Sequence, residues 1–129
     1  MQSPVPILQV FNRYLNPGGE EVSVDRIRDH LSQRHTVTRC QFDSREWQGP
    51  DAPGPVGQAR RLFYNQDSKA RFKAALNDSQ ARVALFHNTF PVGSPSLFHA
   101  ARRQKLPVIQ YLHNFRPFSV GGTLYGDGH

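Results

Sequence analysis

Cysteine is nearly absent from this chain: of 129 residues only Cys40 carries a thiol. An intramolecular disulfide framework is therefore excluded, and a reducing compartment is the default. Long apolar runs are missing as well, none approaching the ~20 residues that a membrane-spanning helix requires. The first residues lack the basic stretch and long apolar segment of a secretory signal. The expected location is cytoplasmic. Acidic residues are few, ten against sixteen Lys and Arg, which leaves a net charge of +6. Three of the cations are lysines and thirteen are arginines, the side chain suited to planar recognition of phosphate and carboxylate. That balance favours anionic partners. The arginines are scattered, however, and pair only at Arg60-Arg61 and Arg102-Arg103.

Several reaction classes lose their signatures in the same way. There is no G-x-S-x-G nucleophile elbow, no G-x-x-x-x-G-K-[ST] phosphate loop and no G-x-G-x-x-G after the first apolar run. His87, His99 and His113 lack metal-binding spacing, and Cys40 has no partner for a zinc site. No strand carries the alternating aromatic and basic residues of an RNA-binding module, so a nucleic-acid partner is not expected. With 129 residues, the chain forms one domain at most.

What is present is an alternation of strand and helix signals. Residues 5–12 form an apolar run that predicts a first strand. Val22, Val24, Ile27 and Leu31 predict a helix over 19–34. Strand periodicity returns at 36–42 and places Cys40 among small buried residues. From Trp47 to Gly57, three prolines and three glycines predict an irregular connection. Two short helices follow, over 56–64 and 67–76, the second capped by Asp67 or Ser68. Residues 82–87 predict a third strand. Ser94-Pro95-Ser96 predicts a helix start with serine at the cap and proline in the first turn, running to about Lys105. Residues 107–113 predict a fourth strand, and 114–129 a loop. Phe11, Phe42, Phe63, Phe72, Phe86 and Phe98 fall on faces expected to pack a core. The pattern is that of an α/β fold, a Rossmann-like parallel sheet with helices on both faces.

Three polar features converge on one edge of such a sheet. Asn16-Pro17-Gly18-Gly19-Glu20-Glu21 joins the first strand to the first helix, where glycine lets backbone N–H groups approach an anion. His87-Asn88 and His113-Asn114 each follow a strand. Parallel strands put all their C-terminal ends on one side, which is where open α/β sheets bind ligands.

These segments, together with Thr89-Phe90-Pro91, Ser94-Pro95-Ser96 and the run from Pro107 to Arg116, resemble the N-terminal domain of family 4 glycosyltransferases, which are retaining enzymes of the GT-B fold. The resemblance spans nearly the whole chain, with Ser119 standing where relatives often carry cysteine. It implies that residues 1–129 are part of an N-terminal, acceptor-side domain, an incomplete half of a GT-B fold with the C-terminal donor-binding domain absent. It further implies that Gly18 and Gly19 approach the donor's phosphates and that His113 is catalytic, close to the anomeric carbon. His87, Asn88, Asn114 and Arg116 would line the acceptor side. No metal or other cofactor is implied. The implied partners are a nucleotide-sugar donor and a sugar or glycolipid acceptor, with peripheral contact to an acidic membrane surface. A sheet cut short also predicts self-association through its open edge, and the isolated chain would be inactive. The competing expectation is a stand-alone basic α/β module that binds an anionic ligand without chemistry.

Overall fold

A computed structural model describes residues 3–13, 19–47, 50, 52–89 and 92–112. Strand β1 (Pro6–Arg13) leads to helix α1 (Gly19–Leu31) and strand β2 (Thr36–Asp43). A 3₁₀ turn at Ser44–Trp47 precedes helices α2 (Pro55–Phe63) and α3 (Gln66–Ser79). Strand β3 (Val83–Phe86), helix α4 (Ser96–Arg103) and strand β4 (Val108–Gln110) complete the order. The four strands lie in the order β2-β1-β3-β4, all parallel.

β1 is central because its side chains are apolar toward both faces. Leu8 and Val10 point to one side and join Cys40, Phe42, Ala84 and Phe86 of the neighbouring strands. Phe72 of α3 and Leu97, Ala100 and Ala101 of α4 close this core from above. Phe42, Phe72 and Phe86 are fully buried, each worth roughly 1.5–3 kcal/mol in removed apolar surface. Phe86 meets Phe72 edge-on at 5.7 Å and Phe98 at 4.8 Å. The small residues Ala100 and Ala101 let α4 approach the sheet closely. On the opposite face lie Ile7, Gln9, Phe11 and Leu85, buried, with α1 packed over them. The α/β class, the parallel sheet and the helices on both faces are thus as the sequence predicts.

Local differences have local causes. α1 stops at Leu31 and the chain turns through Ser32–Arg34, with His35 N–H donating to Leu31 O at 2.9 Å. The cap of α3 is Asn65, one residue upstream of the helix and two before the expected Asp67. Its Oδ1 accepts from Ser68 N–H at 3.2 Å, and the Ser68 hydroxyl turns inward to Val92 O. α4 begins one residue later than expected, with Pro95 rather than Ser94 at the cap position. Ser94 instead uses its hydroxyl to accept the backbone N–H of Asn65 at 3.0 Å and to bond Ser96 Oγ. The loop before α4 is thereby tied to the start of α3. β4 is three residues long, shorter than the run from 107 to 113. Phe98, expected in the core, is 41% exposed and covers Phe86 only at its edge.

Candidate functional site at the β1–β3 switch point

From β1 the chain passes to β2 on one side and later returns to β3 on the other. The C-terminal ends of β1 and β3 therefore flank a topological switch point, where crossing connections part and leave a crevice. One is found there, lined by Phe11 and Asn12 of β1, Glu20, Glu21 and Val24 of α1, and His87 and Asn88 after β3. Its volume is about 10 Å³, room for one water-sized group. A larger hollow of about 210 Å³ lies elsewhere, between the end of α3 and the approach to β4. Leu76, Asn77, Gln80, Ala81, Gln104 and Leu106 line it, and none of these titrates. Size alone would favour the hollow, whereas chemistry favours the crevice.

His87 and Asn88 are fixed by the sheet ladder running past the end of β3. His87 N–H donates to Val10 O at 2.9 Å, and Asn12 N–H donates to Asn88 O at 2.8 Å. The His87 side chain is buried, 1% exposed. Its Nε2 lies 2.9 Å from the side-chain nitrogen of Gln9. That amide also donates to Val24 O at 3.1 Å, and its Oε1 accepts from Arg39 Nε at 3.2 Å. Reversing the amide would set oxygen against oxygen and N–H against N–H, so its orientation is determined. Gln9 Nε2 is therefore the donor and His87 Nε2 the acceptor, which puts the imidazole proton on Nδ1. Arg39 is held in turn by Asp25 of α1. A polar row thus runs Asp25–Arg39–Gln9–His87 through α1, β2, β1 and the end of β3. Tyr111 leans over the far side of His87, ring centres 5.7 Å apart. Gln110 donates to His87 O at 3.1 Å.

The other wall of the crevice is acidic. Glu20 and Glu21 occupy the first turn of α1 and complement its positive end. Glu21 pairs with Arg13 at 2.9 Å through Oε1. Its Oε2 is buried without a hydrogen-bond partner. Asn12, 3% exposed, donates from Nδ2 to Ser44 Oγ at 2.8 Å and to Arg13 O at 3.2 Å. Its Oδ1 is buried and unpartnered. A buried acceptor left so costs about 1–3 kcal/mol.

Of the residues singled out in the sequence, His87 and Asn88 meet in this crevice, and Gly19 opens the helix whose first turn walls it. A Cβ at Gly19 would touch nothing within 4 Å, so packing places no demand for glycine there. Gly18, His113, Asn114 and Arg116 lie outside the described residues. Asn12, Glu20, Glu21 and Gln9 were not singled out by sequence reasoning as site residues beyond their place in the turn and strand. Gln9 and Asn12 are polar residues within or closing an apolar strand, and that is the signal they carry.

Among the described residues, no three His, Cys, Asp or Glu side chains converge to hold a metal ion. Among the described residues, no helix is long and apolar enough to cross a membrane. Comparison of the chain with protein-family models, with curated proteins and with solved structures gives no match.

Proposed function

We propose that this chain is the acceptor-side, N-terminal part of a glycosyltransferase that moves a sugar from a nucleotide-activated donor to an acceptor with retention. The observation that carries the reading is the crevice at the β1–β3 switch point, walled by the glycine-led start of α1 and by His87-Asn88. Retaining transfer needs the leaving diphosphate stabilised while the acceptor approaches from the same side, and backbone N–H groups ahead of a helix suit that developing charge. In this reading the Gly18-Gly19 turn takes the donor phosphates, and His113 stands beside the anomeric carbon. His87, Asn88, Asn114 and Arg116 face the acceptor, and no metal takes part. Catalysis requires a second, donor-binding domain.

Two surface features support the proposed partners. Lys69, Lys73 and Arg103 gather around exposed Tyr64, whose phenol pKa is lowered chiefly by the hydrogen bond from Lys69, with desolvation opposing and these charges adding to the lowering. Such a patch suits an acidic membrane surface carrying a glycolipid acceptor. β4 ends the described sheet, with Ile109, Tyr111 and Leu112 about half exposed, an edge suited to self-association.

Thermal unfolding with and without UDP- and GDP-sugars tests the reading. A ligand that binds only the folded chain raises the midpoint. A rise with nucleotide-sugars and none with the free nucleoside supports it, and no rise with any nucleotide-sugar counts against it.

A further inference from the structure

We infer that the crevice between β1 and α1 is a subsite for a hydroxyl group of a neutral polyol, a sugar ring in particular, and not for phosphate. The inference rests on placing the ligand at the β1–β3 switch point, as above, and names the chemistry that this part of the site selects.

Two independent buried oxygens motivate it. Asn12 Oδ1 and Glu21 Oε2 belong to residues that line the same small space, and neither has a hydrogen-bond partner. Asn12 is nine-tenths buried and more, and its amide nitrogen is already committed to Ser44 and Arg13. What it has left is an acceptor. Glu21, its charge offset by Arg13, likewise has only an acceptor left. Two acceptors without a donor between them call for a donor, a role that water fills and that a ligand hydroxyl of the same size can take over.

Charge and size narrow the class. Carboxylates at the first turn of α1 repel a phosphate from this space, whatever the preceding turn binds. Arg13 offsets the charge of Glu21, and because Glu20 also lines the space a small cation is the competing occupant that methylammonium tests. Room for one water-sized group fits a hydroxyl and excludes a whole ring, so the sugar would lie outside with one hydroxyl inserted. A hydroxyl can donate to one acceptor and still accept a bond itself.

The test uses the full chain, isotope-labelled for NMR, titrated with methyl α-D-glucopyranoside, with inorganic pyrophosphate and with methylammonium. The expected result is millimolar binding of the glucoside, with shifts concentrated at the Asn12 side-chain amide and the Glu21 backbone. Glu21→Leu should weaken it about tenfold, the loss of one good hydrogen bond. Glu21→Gln, which keeps a carbonyl acceptor, should retain it. Glu21 is largely buried in the first turn of α1, its side chain 16% exposed, and the amide spectrum shows directly that the variants are folded. Glucoside binding that is equal in Glu21→Leu overturns the inference. So does the absence of glucoside shifts at Asn12 and Glu21, or a response of the Asn12 side-chain amide to methylammonium or pyrophosphate and not to the glucoside. A glucoside response at Asn12 and Glu21 without any nucleotide-sugar response keeps the hydroxyl subsite and removes glycosyl transfer. A nucleotide-sugar response without a glucoside response at these residues does the reverse.

Discussion

Gln9, in the middle of the central strand, donates its side-chain amide to Nε2 of His87 across 2.9 Å, and this bond decides which imidazole nitrogen holds the proton. A histidine so held carries its proton on Nδ1 and has its Nε2 lone pair engaged by Gln9. With that lone pair engaged, His87 is not placed to remove a proton through Nε2.

The tautomer is open to direct measurement. Nitrogen chemical shifts of the His87 ring should identify the Nδ1–H form in the wild-type chain. In Gln9→Leu the constraint is lifted, and the ring should sample both forms. The same change removes the Gln9 partner of His87 Nε2 and Arg39 Nε, while Val24 O keeps its helical bond, so stability should fall by on the order of 2 kcal/mol in denaturant titration. A wild-type ring protonated at Nε2 contradicts the assignment.

Two glycines should respond oppositely to alanine. At Gly93 a Cβ would stand 2.8 Å from Thr89 O, a backbone atom, and 3.0 Å from Phe42 Cδ2. Gly93→Ala should therefore cost about 1–3 kcal/mol through overpacking. At Gly19 the space is open, and Gly19→Ala should leave stability unchanged or raise it by up to about 1 kcal/mol. If the turn holds phosphate, Gly19→Ala should nonetheless weaken nucleotide-sugar binding. Stability loss at Gly19 would show a purely architectural glycine.

Cys40 gives a pH dependence with a definite sign. Burial pushes its thiol from 9.0 up to about 11, with Arg71 opposing. Between these values the unfolded chain loses the proton while the folded chain keeps it. Stability should therefore fall as pH rises through 9 and level off above 11, by about 3 kcal/mol in all. Cys40→Ala should remove this component of the alkaline decline, measured as the difference between the two unfolding profiles. At pH 8 the native thiol should resist a thiol reagent that modifies the unfolded chain readily.

Period-2 and period-3.6 patterns in the sequence suffice for the sheet and the order of its elements, because β1, β2 and β3 have strong apolar signals and α1 starts where Gly19 permits. Boundaries set by tertiary bonds were not legible. Asn65 caps α3 because Val92 O and Ser94 Oγ, far along the chain, hold it and Ser68 in place. Neither Asp67 nor Ser94 has a local feature that reveals this. Within the candidate site, His87 and Asn88 could be picked out because they follow a strand. Gln9 could not, since one polar residue in an apolar run has no meaning until β2 and α1 bring Arg39 and Val24 beside it. Asn12 and Glu21 share a crevice only through the strand-to-helix turn.

The central claim is that ligand binds at the β1–β3 switch point, and amide-resolved NMR titration with UDP- and GDP-sugars tests it most directly. The account predicts shifts centred on Asn12, Gly19–Glu21, His87 and Asn88, with the hollow around Asn77, Gln80 and Gln104 unmoved. Shifts confined to that hollow or to the basic surface around Lys69 and Arg103, or none with any nucleotide-sugar, would contradict it.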